Sequence, residues 1–146
     1  MTGPLCACGQ GHPRDDAADI RVLVVDDHEA VRTTLSELLS GEDGLTVVGE
    51  CADGSQVVEA ASRLRPDVVL MDLSMPVMDG LAATAALRAA QPEPRIVVLT
   101  GEGSAARPKV AAVGAHALVP KDPRADALLG CLRTVVAGCG RCPYCL

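Results

Sequence analysis

From Ile20 onward, short apolar runs alternate with longer stretches in which apolar residues recur every three or four positions. Residues 20–25 are apolar except for Arg21, the pattern of a strand buried on both faces. Residues 28–40 predict an amphipathic helix with Val31, Leu35, Leu38 and Leu39 inward and Gly41 as its stop. A second strand is expected over 45–51. A second helix follows over 53–64, with Val57, Ala61 and Leu64 inward, ending ahead of Pro66. Residues 67–71 form a third strand running into Asp72, and after a turn over 74–80 an Ala-rich helix covers 81–90. The fourth strand, 95–99, leads into Thr100 and Gly101. A fourth helix over 104–113 contains Pro108, which breaks or delays it. A short fifth strand, 117–119, is followed by Pro120 and Lys121. The last helix takes Asp122 as its N-cap and Pro123 in its first turn, buries Leu128, Leu132, Val135 and Val136, and ends at Gly138.

Five strands alternating with five helices require an α/β fold, a (βα)5 doubly wound parallel sheet with helices on both faces. In such sheets the functional crevice lies beyond the carboxyl ends of the strands, where strand order reverses. Asp26, Asp27, Asp72, Thr100 and Lys121 all stand at or just past those ends. The domain is expected over residues 20–138, between an aperiodic, Cys-containing N-terminal tail (1–19) and a Cys-rich C-terminal tail (139–146).

Composition narrows the function classes. Thirteen Lys and Arg against 19 Asp and Glu give a formal charge of −6, the wrong sign for a nucleic-acid surface, and direct DNA binding is not expected. Tyr144 is the single aromatic residue, so no base-stacking platform exists and the core must be aliphatic. No apolar run approaches the roughly 18 residues of a membrane span. The N-terminus lacks a basic segment leading into a long apolar one, so the expected location is cytoplasmic, with reduced thiols.

Three carboxylates at two neighbouring strand ends repel one another unless a hard divalent cation sits among them, and Mg2+ suits a small, open oxygen site. With a Lys and a hydroxyl at the next strand ends, the site has the parts that stabilise a phosphoryl group in transfer. At these positions the chain resembles the receiver domain of two-component response regulators. The resemblance rests on Val24-Val25-Asp26-Asp27, Leu70-Met71-Asp72-Leu73-Ser74-Met75-Pro76, Met78-Asp79-Gly80, Leu99-Thr100-Gly101, Gly114-Ala115 and Lys121-Asp122. It implies the flavodoxin-like strand order 2-1-3-4-5. It further implies Asp72 as phosphoacceptor, with Mg2+ held by Asp27, Asp72 and the carbonyl of Ser74 and with Asp26 completing the acid cluster. Lys121 would pair with one phosphoryl oxygen and Thr100 would donate its hydroxyl to another. The implied partners are a sensor histidine kinase as donor and an unknown downstream protein, with homodimerisation as an option. The Lys121-Asp122 ending is similar to the subfamily that carries a LuxR-type DNA-binding output domain, which is not expected here.

The chain departs from the family pattern in three places. Leu118 stands where Tyr or Phe is usual, the Thr100–Lys121 interval is one residue short, and Pro120 precedes the lysine. All three fall on the surface of the fourth helix and fifth strand, where the family signals and dimerises. Two alternatives come from other classes. One is a receiver-like adaptor, idle in phosphorylation, whose termini are joined by Zn2+ on Cys6, Cys8, Cys139, Cys142 and Cys145. Those cysteines read equally as unremarkable thiols in flexible ends, or as a displaced reading frame past Gly138. The other alternative is an Asp-nucleophile phosphatase, which wants an Asp where Ser74 stands. Cys51 and Cys131 read as small buried hydrophobes. His28 reads as a first-turn residue near the acid cluster rather than a ligand or base, and His116 as a side chain with no evident partner.

Overall fold

Alternate residues of each strand point to opposite sides of the sheet, and this period of two divides the core in half. The computed structural model describes residues 19–73, 79–91, 93–101, 103–120 and 125–136. Its strands are β1 (Ile20–Val25), β2 (Leu45–Cys51), β3 (Val68–Asp72), β4 (Arg95–Thr100) and β5 (Ala117–Pro120). They are parallel and lie in the order β2-β1-β3-β4-β5. The helices are α1 (Glu29–Ser40), α2 (Val57–Leu64), α3 (Gly80–Ala90), α4 (Arg107–Ala112) and α5 (Ala125–Val135).

On one face Leu23, Val25, Val69, Met71, Ile96 and Val98 pack with Val57 and Ala61 of α2, Leu87 of α3 and Val110 of α4. On the other, Val22, Val24, Val68, Leu70, Val97 and Leu99 pack with Leu39 of α1 and with Leu128, Leu132 and Val135 of α5. Each fully buried Leu or Val contributes about 1.5–3 kcal/mol relative to an exposed one, and two aliphatic layers replace the missing aromatic residues. Cys51 and Cys131 are buried within these layers and joined in no disulfide, as expected.

The structure corrects several local expectations. Helix α1 begins at Glu29, with His28 as its N-cap in an extended conformation. Val31 is not inward: it is 36% exposed, and the inward stripe runs through Arg32, Leu35, Ser36 and Leu39. Residues expected to open α2 instead form a 3-10 turn, Gly54–Gln56, because Asp53 turns its carboxylate onto Ser55 N (2.7 Å). Pro108 delays the fourth helix. A 3-10 segment, Gly103–Ala106, comes first, and α4 then places the proline in its first turn, where no backbone donor is missed. His116 does have a partner: its Nδ1 accepts Ile96 N–H (3.0 Å) while its own N–H reaches Ile96 O (2.8 Å). Asp122 and Pro123, expected at the start of α5, lie outside the described residues, as do both tails.

Candidate functional site

Strand register alone brings the acidic residues together. Val25 lies beside Met71, so Asp26, one residue past β1, comes level with Asp72 at the end of β3. Asp72 lies beside Leu99, and Thr100 follows as the last residue of β4, next to Pro120. Asp26, Asp72 and Thr100 are all 3% exposed or less. Asp26, Asp27, His28 and Asp72 each offer one ligand atom, and all four atoms lie within 4.8 Å of one another. Among the predicted residues, the structure thus unites Asp26, Asp27 and Asp72 and places Thr100 on the adjoining strand end. Ser74 and Lys121 lie outside the described residues, and the register stops at Pro120, one residue before Lys121.

The turn after β1 is fastened from several directions. Asp26 N donates to Cys51 O of β2 (3.1 Å), and His28 N donates to Asp26 Oδ1 (2.8 Å). The His28 imidazole lies over the pair, with Nδ1 3.4 Å from Asp26 Oδ1 and 3.1 Å from Asp27 Oδ1. From α1, Arg32 Nη1 donates to the carbonyl of Asp26 (2.7 Å). After β3, Leu73 N donates to Leu99 O (3.1 Å) and Gly80 N to Leu73 O (2.9 Å). Asp79 caps α3 by accepting Ala82 N–H (2.8 Å).

Three carboxylates at such separations repel by roughly 3 kcal/mol per pair at an effective dielectric of about 20. A divalent cation reverses that sign. Asp27 Oδ1 is buried and accepts no hydrogen bond, its nearest ion-pair contact being the His28 ring nitrogen at 3.1 Å. Hard oxygen donors gathered around a small space fit Mg2+. The zinc expectation finds no such support: Cys6, Cys8, Cys139, Cys142 and Cys145 all lie outside the described residues. Cys51 lies behind the turn, and burial first, then Asp53, push its thiol up to about 11.

Sequence reasoning places His28 beside the acid cluster but not as a ligand, whereas one of its ring nitrogens joins the clustered atoms. Arg32 was hidden because apolar spacing assigned the inward face to Val31.

Comparison with known proteins agrees with this geometry. Residues 22–133 match the family model described as the response regulator receiver domain. Response regulator GacA of Pseudomonas aeruginosa is 39% identical over 120 residues, covering 82% of this chain and 56% of that protein. The chain thus spans about half the length of this relative. Among solved structures, a two-component response regulator of the LuxR family from Aurantimonas superposes with a TM-score of 0.78 at 32% identity, covering 83% of this chain and 87% of that one. The signal receiver domain of the putative response regulator NarL from Mycobacterium tuberculosis gives a TM-score of 0.72 at 32% identity, covering 79% and 97%. Neither the idle adaptor nor the phosphatase gains support from these relatives. With its sheet order, its acidic strand ends and most of its length matched, the chain belongs to the receiver domains of two-component response regulators.

Proposed function

We propose that this receiver takes a phosphoryl group onto Asp72 from the phosphohistidine of a sensor histidine kinase. The observation that carries the reading is the convergence of Asp26, Asp27 and Asp72 within 4.8 Å at the ends of two adjacent strands. A carboxylate oxygen of Asp72 attacks phosphorus, the P–N bond to the donor imidazole breaks, and an acyl phosphate remains. Asp27, Asp72 and the carbonyl of Ser74 would hold Mg2+, with Asp26 completing the cluster. Bound there, the ion supplies positive charge to the phosphoryl oxygens as they approach the carboxylates. Thr100, at the end of β4, donates its hydroxyl to one phosphoryl oxygen, and Lys121, one residue beyond β5, pairs its ammonium with another. The burial of Asp26 and Asp72 supports the scheme, since charge interactions strengthen where water is scarce.

The added charge is local, so its effect must be read through loops and helices at this end of the sheet. The downstream partner is a protein, and the acidic chain works in the cytoplasm. No helix among the described residues is long and apolar enough to cross a membrane. Residues 20–138 form the phosphoryl-accepting unit, flanked by the two Cys-containing tails. Homodimerisation uses the α4–β5 surface, with Leu118, which stands in place of the usual aromatic residue, buried beneath it.

The test is to incubate the protein with Mg2+ and either acetyl phosphate or phosphoramidate. One phosphoryl group per chain is expected by intact mass, none after Asp72→Ala, and none when Mg2+ is chelated. Sustained turnover of a free phosphoester would instead favour the phosphatase.

A further inference from the structure

We infer that Arg32 is a positioning residue for the metal site: it sets the Asp26–Asp27 turn through the main chain and thereby sets the affinity for the divalent ion. The inference rests on the metal-dependent reading above and deepens it. Arg32 sits one turn into α1, on the face toward the sheet, and its side chain is only 15% exposed. Nη1 donates to the carbonyl of Asp26 at 2.7 Å, while Nε meets Glu50 Oε1 on β2 at 3.3 Å. The second oxygen of Glu50 accepts from Ser36 Oγ at 3.0 Å, one helical turn further along α1. The result is a chain of polar contacts from Ser36 through Glu50 and the guanidinium to the peptide between the two aspartates.

That peptide is planar, so holding the carbonyl of Asp26 also fixes the N–H and Cα of Asp27 and leaves only rotation about its N–Cα bond to set where the side chain points. Asp27 needs such control. Its Oδ1 accepts no hydrogen bond and has only the exposed His28 ring nitrogen beside it at 3.1 Å, so its aim at the cluster depends on the backbone. A planar guanidinium can satisfy a carbonyl and a carboxylate at once, whereas an ammonium is a single point of charge. The contact is therefore more than a surface ion pair: the carbonyl it grips belongs to the residue that opens the acid cluster. Groups that orient metal ligands without touching the metal commonly change affinity by about ten- to a hundredfold when removed.

Arg21 supplies a matched control. Its guanidinium also bonds carbonyls, those of Leu64 (2.6 Å) and Arg65 (3.3 Å), but at the opposite end of β1. The experiment measures acetyl phosphate-driven phosphorylation against Mg2+ concentration, with melting temperature recorded in parallel. Arg32→Ala is expected to raise the Mg2+ concentration for half-maximal rate about tenfold, with little loss of rate at saturating Mg2+. Arg32→Lys should recover part of the shift, and Glu50→Gln should show an intermediate one. Arg21→Ala should lower the melting temperature and leave the Mg2+ requirement unchanged. A folded Arg32→Ala with the wild-type Mg2+ requirement overturns the inference, as does an equal shift in Arg21→Ala. If Arg32→Ala fails to fold, wild-type values in both Arg32→Lys and Glu50→Gln overturn it. The metal reading itself fails separately, and takes the inference with it, if Asp27→Asn leaves the Mg2+ requirement where it was.

Discussion

Gly80 has no side chain because the space beyond its Cα is already filled by backbone. A Cβ there would overlap the carbonyl oxygen of Asp72 and lie 2.9 Å from the Cα of Leu73. The close approach lets Gly80 N bond Leu73 O and so ties the start of α3 to the residue after Asp72. Gly80→Ala should therefore displace the Asp72–Leu73 backbone, cost about 1–3 kcal/mol as overpacking does, and slow phosphorylation. Urea unfolding and the acetyl phosphate assay check this together, and wild-type values in both would refute it. His116 makes a second residue-scale prediction. Its Nδ1 accepts a backbone N–H, so protonation there would set two donors against each other. Burial first, then the Arg95 and Arg88 charges, lower its pKa from 6.5 to about 4. The unfolded chain thus takes up this proton before the folded one does. The contribution is intact above pH 6.5 and is lost as pH falls toward about 4. His116→Asn, which keeps a side-chain acceptor but cannot titrate, should lose less stability across that window in urea unfolding. Parallel pH profiles for the two proteins would contradict the assignment.

At the scale of elements, helix α1 separates what spacing can tell from what it cannot. Periodicity located the helix and its buried Leu39, yet turned it too far toward Val31, because counting apolar positions gives no weight to an arginine with acceptors to reach. Arg32 takes the inward place since the Asp26 carbonyl and Glu50 await it there, and its methylene stem covers apolar surface on the way. Leu39→Ala should cost about 2–5 kcal/mol, while Val31→Ala should stay within about 0.5 kcal/mol. Urea midpoints decide between them, and comparable losses at the two positions would restore the spacing-based orientation. The strands were legible almost to the residue, because β1, β3 and β4 carry runs of Val, Leu and Ile bounded by polar residues that leave little freedom. The 3-10 turn at Gly54–Gln56 was not, since the Asp53 carboxylate competes locally with a regular helix start. Pro108 had the delaying effect its ring dictates.

Across the whole molecule, the site follows from sheet order. Once β1 and β3 are neighbours in parallel register, Asp26 and Asp72 must meet, and Thr100 must follow on the next strand. Alternation of strands and helices made the crevice legible as a location, and residue types made its acidic character legible. The order that puts β1 between β2 and β3 came from family resemblance rather than periodicity. Tertiary contacts between side chain and main chain, such as Arg32 on Asp26 O or His116 on Ile96 N–H, leave no linear trace, which is why they emerged only from the structure. The central claim is that clustered carboxylates hold a divalent ion so that one of them, Asp72, captures a phosphoryl group. The most direct measurement treats the chain with acetyl phosphate, reduces the product with borohydride, which converts an aspartyl phosphate to homoserine, and locates that residue by peptide mass spectrometry. The account predicts homoserine at position 72 alone, formed with Mg2+ and absent when the metal is chelated. Homoserine elsewhere, or the same yield at position 72 without a divalent ion, would contradict it.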